Sequence, residues 1–199
     1  MRIVGLTGGI GMGKSTAAAA FRRARIPVFD ADATVHALQA PGGRALPAIG
    51  AAFPGTIAAT AEGRLALDRA ALRAAVLADR AALKRLEAIV HPMVRDAERA
   101  FVARARRAGK RAVVLDIPLL LETGARRRVD ELLVVSAPRD VQVARVAQRG
   151  RMDRAQVAAV IARQMPDAEK RRQADLVIRT GLSRFHALRT IRRFIRRLG

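Results

Sequence analysis

Apolar residues fall along this chain in two rhythms. Short unbroken runs rich in Val, Ile and Leu occur at 2–7 (RIVGLT), 26–30 (IPVFD), 111–117 (RAVVLDI), 131–136 (ELLVVS) and 176–179 (LVIR). Runs of that length, bounded by Gly or Pro, predict buried strands. Between them lie longer alanine-rich stretches with helical spacing, at 14–25, 31–39, 44–107 and 138–165. Asp68, Asp79 and Asp153 stand where helix N-caps are expected, and Pro138 suits a first helical turn. Pro41, Gly42 and Gly43 break the pattern, and Pro92 marks an expected kink or helix junction. In the last stretch Phe185, Leu188, Ile191, Ile195 and Leu198 recur at helical spacing behind Ser183, a candidate cap.

Strands that are apolar throughout and alternate with helices predict an α/β fold with a parallel sheet covered on both faces. Five strands are expected. Residues 44–107 are too many for an ordinary crossover connection, so part of them reads as a helical insertion within a single domain spanning 1–199.

Composition narrows the class. Of the 199 residues 51% are hydrophobic, enough for a core, although there is no Trp and no Tyr. There is no Cys, which removes disulfides and thiolate metal sites and fits a reducing cytoplasm. The N-terminal apolar run is too short for a signal peptide, and no run reaches the roughly 18 residues of a membrane span. The net charge is +21, from 38 Lys and Arg against 17 Asp and Glu. Such a balance attracts phosphate backbones. The basic residues are spread along the whole chain, however, and neither an aromatic RNA-binding motif nor zinc-finger spacing accompanies them. An anion-handling enzyme is the favoured reading, with no specific nucleic acid and no membrane as partner. The basic, amphipathic C-terminal stretch is expected to pack on the sheet rather than on a membrane surface.

The chemistry starts at Gly8. Residues 8–15 read GGIGMGKS, a full GxxxxGKS phosphate-binding loop, with a strand directly before it and a helix directly after. Gly8, Gly9, Gly11, Met12 and Gly13 would turn backbone N–H groups onto phosphate oxygens at a helix start. Lys14 would span the β- and γ-phosphates, Ser15 would ligate Mg²⁺, and Thr16 would reach the α-phosphate. The loop alone fits kinases, GTPases and ATPase motors alike; the short chain and the lack of a guanine-reading NKxD segment favour a compact kinase. Asp30 and Asp32 end the second strand, where ligands of open α/β sheets gather. Either is a candidate base for an acceptor hydroxyl or a helper for Mg²⁺, and either is equally a helix cap. His36 stands one helical turn beyond Asp32.

The segments LTGGIGMGKST, FDADATVH, VHPMVR, LDIPLLLETG, ARVAQRGRMDRAQVAAVIARQM and ADLVIRTG, in this order over residues 6–181, resemble the dephospho-CoA kinases. The resemblance implies a P-loop three-layer αβα fold with a helical substrate-binding insertion at about 44–107 and a lid at about 149–170. It implies a cytoplasmic kinase, monomeric or a small homo-oligomer, with ATP, Mg²⁺ and dephospho-CoA as ligands and the ribose 3′-hydroxyl as acceptor. Asp32 would be the general base. His36, His91 and Pro92 would face the acceptor, and Pro118, Leu119, Leu120 and Glu122 would border it. Arg145 and Arg149 would meet phosphate or adenine at the lid base, and Gln164 would close the lid. The residues themselves leave His91 open as a helix-junction histidine and Glu122 as a surface carboxylate. Met12, Thr180 and Gly150 depart from the family pattern. Another P-loop kinase acting on nucleosides or nucleotides is the nearest alternative, and a nucleic-acid-binding ATPase a more distant one.

Overall fold

The short apolar runs become neighbouring strands because each has two faces to bury. The computed structural model describes residues 1–77, 79–148, 154–162 and 164–198. In chain order the elements are β1 (Arg2–Thr7), α1 (Lys14–Arg23), β2 (Val28–Asp30), α2 (Ala31–Leu38), α3 (Leu46–Ala52), β3 (Ile57–Ala59), β4 (Leu65–Leu67), α4 (Arg69–Leu77) and α5 (Arg80–Arg107). Then follow β5 (Ala112–Asp116), a 3₁₀ turn (Ala125–Arg128), β6 (Glu131–Ser136), α6 (Arg139–Ala147), α7 (Arg154–Ala162), α8 (Asp167–Arg172), β7 (Leu176–Arg179) and α9 (Arg184–Leu198). They gather into two compact units, one of residues 1–30 with 102–199, the other of 31–101.

In the first unit the five expected strands pair in parallel, in the order β2-β5-β1-β6-β7. This is the αβ sheet read from the alternation of runs. β5 is buried at all five positions, and β6 at five of six, as a parallel sheet covered on both faces requires. The register sets Leu6 and Asp30 beside Asp116, so the carboxyl ends of β1, β2 and β5 lie together. One face is covered by α1 and α9: Ala17, Ala18, Phe21, Ile191 and Phe194 share a cluster with Val4, Val114 and Leu133. Phe21 and Phe194 meet edge to face with centroids 6.2 Å apart, a favoured aromatic geometry. Of the expected α9 stripe, Ile191 and Leu198 are core and Leu188 and Ile195 pack half-buried against it, whereas Phe185 is 70% exposed and lies outside it; Ser183 Oγ accepts the His186 N–H at the start of the helix at 3.0 Å.

The second unit has its own core of Leu38, Ala45, Ile49, Phe53, Leu72, Ala82 and Val90. Asp68 Oδ1 accepts from Ala70 and Ala71 N–H, and Asp79 Oδ1 from Ala81 N–H, capping α4 and α5 as their positions suggest. Two features differ from the expected all-helical stretch. β3 and β4 form an antiparallel hairpin, Ile57 opposite Leu67, turned at Gly63 with φ 71°. Three-residue strands are too short to register as an alternating pattern. α5 also runs unbroken through Pro92, so the proline lies inside a helix rather than at a junction. The expected cap Asp153 lies outside the described residues, and α8 is a helix the apolar pattern does not announce. No helix among the described residues is long and apolar enough to cross a membrane.

Candidate functional site

β1 is buried to its last residue, Thr7, whose hydroxyl donates to Pro118 O at 2.8 Å. The chain then turns through 8–13 and enters α1 at Lys14. The turn needs glycine at two positions above all. Gly11 has φ 74°, and a Cβ there would stand 2.8 Å from Gln142 O. Gly13, with φ 89°, precedes α1 and offers no side-chain cap. The first turn of α1 holds no acidic residue, so its amides and dipole favour an anion from outside.

Lys14 Nζ lies 2.5 Å from Asp116 Oδ1, at the end of β5. The lysine side chain is 18% exposed and the aspartate 5%. Burial pushes the Asp116 carboxyl above its ordinary 3.8. The Lys14 charge and hydrogen bond oppose that shift, and nearby Asp30 adds to it. Asp30 itself takes a guanidinium N–H of Arg22 at 3.2 Å. Sequence reasoning does not single out Asp116. The available signal is an apolar strand ending in a carboxylate one register step from the P-loop strand.

The loop is braced by side chains distant in sequence. The Ile10 peptide is held at both ends: Gln164 Oε1 accepts its N–H at 3.1 Å, and Gln142 Nε2 donates to its C=O at 2.8 Å. Met12, where a small hydroxyl residue is usual in the resembled family, is 3% exposed, and its sulfur accepts the Ala137 N–H at 3.0 Å. Thr180 Oγ1 donates to Met12 O at 2.7 Å. Arg145 grips Thr180 with both terminal nitrogens, to Oγ1 at 3.0 Å and to O at 2.8 Å. Arg145, expected at the nucleotide, thus holds Thr180, and through it the loop. A cavity of about 470 Å³ opens beside this brace, lined by Gly9, Met12, Arg139, Gln142, Gln164 and Lys170 among others.

The segment after β5 divides its expected roles. Leu119 is 43% exposed. Leu120 is fully buried, and its Cδ1 would stand 2.8 Å from a Cβ placed on Gly5; it supports the segment from beneath rather than lining a pocket. Glu122, expected to border the acceptor, pairs with Lys170 Nζ at 2.7 Å and accepts the Met165 N–H at 3.0 Å. Thus the first unit brings together Gly8–Thr16, Asp116, Pro118, Arg145 and Gln164. Asp32 and His36 are exposed on α2, and His91 and Pro92 lie within α5, all four in the second unit. Arg149 and Gly150 lie outside the described residues.

For a divalent cation the chain offers hard oxygen donors, the exposed Ser15 hydroxyl and the Asp116 carboxylate. Among the described residues no cluster of three or more His, Asp or Glu could hold a metal unaided.

The family model of dephospho-CoA kinase matches residues 2–183. The dephospho-CoA kinase of Gluconobacter oxydans is 52% identical over 202 aligned residues, covering all of this chain and 98% of the relative. That of Paramagnetospirillum magneticum is 61% identical over 171 residues, 86% of this chain and 78% of the relative. Among solved structures, TT1252 from Thermus thermophilus superposes with a TM-score of 0.81 at 37% identity, covering 98% of this chain and 96% of its own. With the phosphate loop, its paired carboxylate and this full-length similarity in hand, the chain belongs to the dephospho-CoA kinase family.

Proposed function

We propose that this protein transfers the γ-phosphoryl group of ATP to the ribose 3′-hydroxyl of dephospho-CoA, giving CoA, the last step of that biosynthesis. The observation that carries the reading is a complete phosphate loop whose Lys14 already lies 2.5 Å from a buried carboxylate, in a chain matching the kinase family from residue 2 to 183.

The loop amides from Gly9 to Thr16 receive the phosphates, and Lys14 exchanges its Asp116 partner for β- and γ-oxygens. Phosphoryl transfer asks the protein mainly for positioning and for positive charge at the oxygens. The 470 Å³ cavity beside Gly9 and Met12 has the size of a small-molecule site and suits the nucleoside. Mg²⁺, when bound through Ser15 and Asp116, neutralises phosphate charge. Asp32 accepts the acceptor hydroxyl's proton; His36, His91 and Pro92 hold dephospho-CoA, and Pro118 and Leu119 border it. On this reading the insertion at about 44–107 binds the acceptor, with Asp32 and His36 just before it, and about 149–170 is the lid, with Arg149 at its base. The enzyme works in the cytoplasm as a monomer or small homo-oligomer.

The test supplies ATP and Mg²⁺ with dephospho-CoA, nucleosides, nucleotides or single-stranded DNA, and follows ADP and CoA. CoA formation specific to dephospho-CoA is the expected result. ADP release stimulated by DNA without CoA would overturn the reading. Asp32→Asn should lower kcat while leaving ATP affinity near wild type; unchanged kcat would remove Asp32 as the base.

A further inference from the structure

Lys170 is an anomaly in a chain with basic residues to spare. It sits on α8, and its side chain is 1% exposed, among the most buried large side chains of the molecule. Lysine is almost never so buried unless its charge is met. Among the described residues the charge that meets it is Glu122, whose Oε1 stands 2.7 Å from Nζ at an angle outside hydrogen-bond geometry. Lys170 Nζ is the buried side-chain nitrogen left without a hydrogen bond among the described residues.

The same Glu122 oxygen accepts the Met165 N–H at 3.0 Å. One carboxylate therefore ties down both ends of the segment 165–170. Immediately before that segment stands Gln164, whose Oε1 accepts the N–H of Ile10 inside the phosphate loop. Gly9 leaves room for this contact, since a Cβ there would lie 3.0 Å from Gln164 Oε1 and 3.2 Å from Gln142 Nε2. A continuous path of bonds runs from the segment after β5, through Glu122 and Met165, to the Ile10 peptide.

We propose that the buried Lys170 and Glu122, whose side chain is 19% exposed, are a positioning pair that seats Gln164 on the Ile10 peptide and so holds the phosphate loop in its nucleotide-accepting shape. This rests on the ATP-site reading above and reassigns Glu122 from the acceptor to the nucleotide side. An ion pair that buries its lysine is weak evidence for stability, because apolar side chains of like volume often do as well; a role in geometry explains its presence better. Lys170→Met removes the cation at similar volume and leaves Glu122 without its counter-charge, so the carboxylate turns toward water and releases Met165.

The test is a double-mutant cycle of Lys170→Met and Gln164→Leu, read by calorimetric ATP binding and by the separate KM values for ATP and dephospho-CoA. Wild-type CoA formation is measured alongside, so a failed functional reading appears there and not in the cycle. Each single variant should weaken ATP binding about tenfold, which corresponds to about 1.4 kcal/mol. KM for dephospho-CoA should stay put, and the double variant should be no worse than either single, because both break one path. The Lys170→Met, Glu122→Leu variant leaves no orphan charge. It should regain melting temperature without regaining ATP affinity. The proposal is overturned if Lys170→Met lowers only the melting temperature, if the two effects multiply, or if Gln164→Leu alone binds ATP like wild type.

Discussion

The Lys14 ammonium has a partner within the fold, the Asp116 carboxylate. Its 2.5 Å contact with Asp116 holds the cation at the ends of β1 and β5, from where the proposed reaction would pass it to phosphate oxygens. Lys14→Ala should cut kcat about 10²- to 10³-fold, the loss found when one preorganised donor is removed; turnover within twofold of wild type would take Lys14 out of the mechanism. Asp116 carries the second prediction at this scale. Its carboxyl is held above 3.8 by burial, so the folded protein binds a proton there that the unfolded chain has already lost. Stability from this group is therefore highest below 3.8 and falls as pH rises toward the native value. Asp116→Asn has no such loss. In metal-free denaturant titrations the stability of the variant minus that of wild type should rise across that interval and then level off. A difference that falls with pH would show that Lys14, rather than burial, governs the carboxylate. At this scale the sequence was only partly readable. GGIGMGKS announced its own chemistry, whereas the partners of the loop, Gln142, Gln164 and Thr180, are separated from it by more than a hundred residues and no linear spacing marks them.

Among the elements, the five apolar runs matched their strands to within two residues at each end, because a strand buried on both faces must be apolar throughout. The hairpin of β3 and β4 escaped, being too brief to alternate, and so did α8. Its sequence DAEKRR reads as a solvated charge run, yet it buries one lysine completely. α9 shows the opposite case, with a basic sequence whose apolar stripe alone decides its place. Phe194 is 1% exposed and packs against Phe21. Phe194→Ala should cost about 3–5 kcal/mol of unfolding free energy. Liposome flotation of the wild type should recover no protein in the floating fraction, since Ile191, Phe194 and Leu198 of that face are already buried and only Phe185 is left exposed.

For the molecule as a whole, the +21 charge is distributed rather than patterned, which suits an enzyme whose two substrates are both anionic. Such a field speeds encounter with anions and is screened by salt. KM for ATP should therefore climb between about 0.01 M salt, where the Debye length is about 30 Å, and about 1 M, where it is about 3 Å. The melting temperature should move far less, because the buried pairs are shielded from added ions. Flat KM over that range would show that local contacts alone set affinity.

Gly5 has one more consequence. Midway along β1 it leaves no slack: Leu120 and Val129 side-chain carbons would lie 2.8 and 3.1 Å from any Cβ added there. Even a single methyl would act as a wedge under the chain that carries Pro118, Leu119 and Glu122. The rim of the catalytic face is thus levelled from below, by the smallest residue in the sheet, and its height could drift in evolution without any change to a residue that touches substrate.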